Sequence, residues 1–88
     1  MSLDTVKLIF AQRYGVSVDD LTAESVINDI CTDSLEILEL LMYIEEEFSV
    51  TVPDEVAQEM KTLGDIVSFV DENVAAEDVA RIYDKLKD

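Results

Sequence analysis

Between Asp33 and Phe48 the chain reads DSLEILELLMYIEEEF, sixteen residues without glycine, proline or a basic side chain. That pattern restricts the segment to a helix. Asp33 can cap the free amides, and Glu36 three residues on completes an Asp-x-x-Glu capping box. Wound at about 100° per residue, Ile37, Leu40, Leu41, Ile44 and Phe48 fall in one stripe, which must face a core. Leu35, Leu38 and Met42 fall in a second strip, roughly opposite and on the same side as Ser34. Glu45 borders this strip on one side, Glu39 and Glu46 on the other. A helix that buries one face has no need of a second apolar strip. Packing under the preceding connection is one use for Leu35 and Leu38, and the expected one for Leu35. Met42, ringed by glutamates, reads instead as the apolar centre of a docking surface with an acidic rim.

Ser34 stands at the start of this helix, yet the chain contains no histidine. A serine displayed without a general base reads as a point of attachment rather than a nucleophile. The lack of a nucleotide-binding glycine loop and the shortness of the chain also speak against an enzyme. No Asp-x-Asp/Asn-x-Asp/Asn-Gly run occurs, which argues against a calcium sensor, and no resident metal site is expected.

The 88 residues make one small domain, and 49% hydrophobic content is enough for a single core despite a net charge of −15. From Tyr14 to Met60 there is no Lys or Arg; the basic residues are Lys7, Arg13, Lys61, Arg81, Lys85 and Lys87. The middle of the molecule is thus expected to present a negative face that steers basic partners and repels nucleic acid and anionic lipid. A solvated face that keeps the protein soluble is the plainer reading of the same charge. One cysteine, Cys31, excludes an internal disulfide. No secretory signal is evident in the first twenty residues, and the run Leu40 to Ile44 is too short to span a bilayer. A soluble, cytoplasmic monomer is expected.

Elsewhere, Leu3, Val6, Phe10 and Tyr14 predict a helix from about Leu3 to Tyr14, with Gly15 as its terminator. Val16 to Thr32 shows scattered apolar residues without a period, a loop pinned to the core. Pro53 bars helix at the residue before it, and Asp54 is expected to cap a short helix through about Met60. Thr62 with Asp65 predicts a further helix, with Leu63, Ile66, Val67, Val70 and Val74 on one face. Val79, Ile82, Tyr83 and Leu86 define a stripe in a new direction, so Glu77 to Lys87 is expected as a separate or kinked C-terminal helix. The predicted fold is all-α: three main helices, a short third one, and an extra C-terminal helix.

The run Asp33-Ser34-Leu35-Glu36, then Glu39-Leu40, Ile44-Glu45-Glu46-Glu47-Phe48 and Val50-x-Val52-Pro53-Asp54-Glu55, resembles the acyl carrier proteins. The similarity extends from the first helix through Val70. It implies that Ser34 carries 4′-phosphopantetheine, moved there from coenzyme A by a phosphopantetheinyl transferase, with acyl groups held as thioesters on the terminal thiol. Asp33 then has two compatible roles, as helix cap and as magnesium ligand in the transferase reaction. The resemblance also implies a compact helical bundle whose contact surface is the second helix, with Leu35, Glu36, Leu38, Glu39, Met42, Glu45 and Glu46 meeting partner enzymes: transferases, synthases or ligases with basic docking surfaces. Fatty acid or related lipid synthesis is the expected pathway.

The chain departs from the family at Cys31-Thr32, where a small pair is usual, at Ile37 and Tyr43, and after Val74. Residues 1–74 are read as the carrier domain and 75–88 as a helical extension. Cys31 reads as a small, half-buried filler or as a second thiol near the arm. These departures bear on the pathway: a polyketide, peptidyl or D-alanyl carrier is the alternative within the class. An unmodified acidic adaptor or nucleic-acid mimic is the alternative outside it.

Overall fold

The computed structural model describes residues 1–87; Asp88, the last residue of the expected extension, lies outside them. Six α-helices follow in order: α1 (Ser2–Tyr14), α2 (Ile27–Ile30), α3 (Ser34–Phe48), α4 (Asp54–Glu59), α5 (Leu63–Asn73) and α6 (Ala76–Lys87). The all-helical bundle expected from the sequence is the fold observed. Among the described residues the single β feature is an isolated antiparallel bridge between Val26 and Thr62.

The helix ends follow local chemistry. Helix α1 stops at Gly15, which adopts the left-handed conformation (φ 70°) and donates its N–H to the Ala11 carbonyl at 3.0 Å. At the head of α3 the Asp33 carboxylate accepts the Leu35 N–H at 2.9 Å, and the Glu36 carboxylate reaches back to the Asp33 N–H at 3.4 Å. Helix α5 repeats this device: Thr62 Oγ1 accepts the Asp65 N–H, and Asp65 accepts the N–H groups of Thr62 and Lys61 at 3.0 and 2.7 Å. Those backbone donors hold the Asp65 carboxyl below the usual range.

One expected cap is absent. Asp54 is the first residue of α4 rather than its cap; Pro53 occupies the cap position, and its carbonyl accepts the Ala57 N–H at 2.9 Å. Asp54 stabilises the helix instead as a negative charge in the first turn.

Helix α1 packs against both α5 and α6, and α6 also reaches α3. One core joins Val6, Ile9 and Phe10 of α1, Leu40, Ile44 and Phe48 of α3, Leu63, Ile66 and Val70 of α5, and Val79, Ile82 and Leu86 of α6. Each such side chain is worth about 1.5–3 kcal/mol of burial. The expected stripe of α3 is turned from its sequence reading. Leu40, Ile44 and Phe48 are buried, Ile37 packs beside them, and Leu41 is only half-buried. Tyr43 packs onto the core instead, because α6 closes on that side of α3, where Lys85 Nζ meets Glu47 Oε1 at 2.6 Å. In α5, Phe69 is buried as well, a position the predicted face omitted.

The connection expected as a loop carries a 3₁₀ turn at Val18–Asp20 as well as α2. It is pinned to the core through Leu21, Ile27 and Cys31. It is also stitched to the start of α5 by three backbone bonds. The Gly64 N–H reaches Ala23 O at 2.8 Å, Leu63 N–H reaches Ser25 O at 3.0 Å, and Ile27 N–H reaches Lys61 O at 2.9 Å. Gly64 permits this approach, since a Cβ there would stand 3.0 Å from the Ala23 carbonyl oxygen.

Candidate functional site

Ser34 is the first residue of α3, and its side chain is exposed. The capping box behind it fixes the start of the helix, so the hydroxyl projects from a rigid end. Three of the other serines use their hydroxyls in hydrogen bonds. Ser2 donates to Asp71, while Ser17 and Ser25 accept the Asp19 and Thr22 N–H groups at 3.2 and 2.9 Å. Ser49 closes α3 in the left-handed conformation, with φ 55°, and Ser68 lines an open cleft of about 400 Å³ between α4 and α5. Among the described residues no hydrogen-bond partner occupies the Ser34 hydroxyl. A phosphodiester fits there: the oxygen is accessible, and the head of a fifteen-residue helix favours negative charge.

Below Ser34 the second strip is open to solvent: Leu35, Leu38 and Met42 are 63, 56 and 57% exposed. The expected packing of Leu35 under the connection does not occur, because the connection turns away to the head of α5. Glu39 and Glu46 are exposed beside the strip. Glu36 and Glu45 are half-buried and serve the fold, Glu36 in the capping box and Glu45 by accepting the Val52 N–H at 2.8 Å. Glu45 thereby holds the chain that leaves α3 for α4.

Cys31 lies three residues before Ser34 but is fully buried, not half-buried. Burial pushes its thiol up, and the same desolvation raises the neighbouring Tyr14 hydroxyl to about 12. The Tyr14 hydroxyl also donates to the Glu36 carbonyl at 3.4 Å, fastening the end of α1 to the first turn of α3. Packing therefore holds the Cys31 thiol inside the core, away from the exposed surface at Ser34.

One residue at this surface escaped the sequence. The Arg13 guanidinium lies 4.8 Å from the centre of the Tyr43 ring, at the edge of a shallow depression shared with Glu39, Met42 and Glu46. No local signal brings the last turn of α1 to the flank of α3; only the assembled bundle does.

The family described as "Phosphopantetheine attachment site" matches residues 4–70. Acyl carrier proteins from three strains of Clostridium perfringens are each 44% identical over 71 residues, covering 80% of this chain and 93% of theirs. The chain belongs to the acyl carrier protein family. It is a carrier and not an enzyme, and its cofactor is covalently attached 4′-phosphopantetheine. Carriers of this kind work with synthases and transferases. Among the described residues no helix is long and apolar enough to cross a membrane.

Proposed function

We propose that Ser34 bears the phosphopantetheine and that the exposed strip of α3 receives the enzymes that load and use it. The observation that carries this reading is the exposed, unpartnered Ser34 hydroxyl at the capped head of α3. When attached, the arm supplies a thiol on a long flexible tether. The protein's own residues do the rest. Asp33 and Glu36 keep the attachment point rigid, and Asp33 remains exposed as a ligand for the transferase's magnesium. Leu35, Leu38 and Met42 offer apolar contact, with Glu39 and Glu46 supplying charge that speeds encounter with basic surfaces. Glu36 and Glu45 contribute charge to the same face while holding their internal contacts.

Fatty acid or related lipid synthesis in the cytoplasm, by a monomeric carrier, is the pathway we assign. The likeness to free-standing acyl carrier proteins and the uninterrupted acidity of α3 support it. We further read residues 1–74 as the carrier domain and 75–88 as an extension. The family match ends at residue 70, and α6 begins after a break at Val74 and Ala75.

Intact mass tests the attachment. Incubated with coenzyme A and a phosphopantetheinyl transferase, the protein should gain one phosphopantetheine. Ser34→Ala should gain none while keeping its helical circular dichroism. Modification of the alanine variant would place the arm elsewhere.

A further inference from the structure

We propose that Arg13 is a specificity determinant of the docking face, selecting a transferase that sets one carboxylate beside its basic patch. The inference rests on the reading of α3 as the docking surface.

The chain has six basic residues and an acidic face that calls for none of them. Two are committed within α6 and its contact with α3: Arg81 pairs with Asp78 at 3.3 Å and Lys85 with Glu47 at 2.6 Å. Arg13 makes no ion pair among the described residues, although Glu39 and Glu46 line the same depression of about 250 Å³. It rests on Tyr43 instead. A guanidinium laid against a ring keeps its N–H fork available at the rim, in the arrangement that receives a carboxylate through two parallel hydrogen bonds. The stack also restrains the side chain beforehand, so less conformational freedom is lost when the fork is filled.

Arg13 at the C-terminal turn of α1 also suits the helix dipole, but any position in that turn would serve the dipole equally. The contact with Tyr43 across two helices puts the charge at the margin of the strip. A partner whose arginines or lysines lie over Glu39 and Glu46 must bring something against Arg13. Another cation there is repelled, and a carboxylate is bound. The margin thus discriminates by rejection as well as attraction.

The experiment measures loading of the apo protein by the transferase of its own source, with coenzyme A saturating and carrier concentration varied. Arg13→Gln should lower kcat/KM about five- to tenfold, through KM with kcat unchanged. Arg13→Lys keeps the charge and the helix end but not the fork, and should recover only part of the loss. Reversing the matching carboxylate of the transferase should restore loading of Arg13→Glu. A rate for Arg13→Gln that equals or exceeds the parent's, as a uniformly basic partner requires, overturns the proposal. Glu46→Lys separates the two levels of the argument. If it slows loading while Arg13→Gln does not, only the role of Arg13 falls; if it has no effect, the docking reading falls and the proposal with it.

Discussion

Tyr14 and Cys31 show how a buried contact sets a chemical limit. Neither group can ionise in place without leaving a charge in apolar surroundings, which is why burial raises both, Tyr14 to about 12. Tyr43 is raised too, first by burial and then by the carboxylate of Glu47. The unfolded chain releases these protons at lower pH than the folded one. Over that window the native state holds more protons, so stability is complete below about pH 9 and falls as pH rises towards 12. The denaturation midpoint should therefore drop between pH 8 and pH 11. Tyr14→Phe should flatten part of that decline, since the phenol no longer has a proton to lose. A midpoint unchanged over this range, or one equally pH-dependent in Tyr14→Phe, would count against the assignment.

At the scale of the helices, the sequence was legible wherever the cause was local. The box of Asp33 and Glu36, the box of Thr62 and Asp65, and the stop at Gly15 each depend on residues within a turn of one another. So each could be read from spacing. The rotation of α3 toward Tyr43, the stacking of Arg13 and the meeting of Lys85 with Glu47 depend on segments far apart in the chain, and no period in either partner announces them. The Val16–Thr32 connection lies between these cases. Its apolar residues marked it as pinned, but its one-turn helix is too short for a period to show. The carrier reading of Ser34 came from a motif joined to its flanking residues, whereas the availability of the hydroxyl is visible only in the structure. Gly64 offers a test of a non-local contact. Alanine ordinarily favours a helix over glycine by up to about 1 kcal/mol. Here its methyl would press on the Ala23 carbonyl that accepts Gly64's own N–H. Gly64→Ala should therefore destabilise by about 1 kcal/mol in urea denaturation. A stabilised variant would mean that the connection yields easily.

The whole molecule carries a net charge of −15, with no Lys or Arg between Tyr14 and Met60. Its cations gather on α1, at Lys61 and on α6, leaving α3 and α4 to repel themselves. Salt weakens that repulsion over a Debye length of about 8–10 Å. It also weakens the contact of Lys85 with Glu47, but a single pair with an exposed lysine counts for little beside so many like charges. The melting temperature should rise on moving from low salt to moderate sodium chloride or millimolar magnesium. A flat or falling response would show that the helices already space their charges beyond mutual reach.

The backbone stitch between Ala23–Ile27 and Lys61–Gly64 has a consequence for time rather than for strength. Its amides, those of Ile27, Leu63 and Gly64, donate across a gap of more than thirty residues of chain. They join two separate segments, so they are released together when the connection parts from the head of α5. In deuterated solvent they should exchange together, at the pace of the opening that parts the connection from α5. Amides at the loose ends of α4 and α6 should exchange far sooner. The chain that leads into α3 would then keep the clock of the bundle's interior, and on the proposed reading of Ser34 a docking enzyme would meet a support whose approach stays still for the length of its stay.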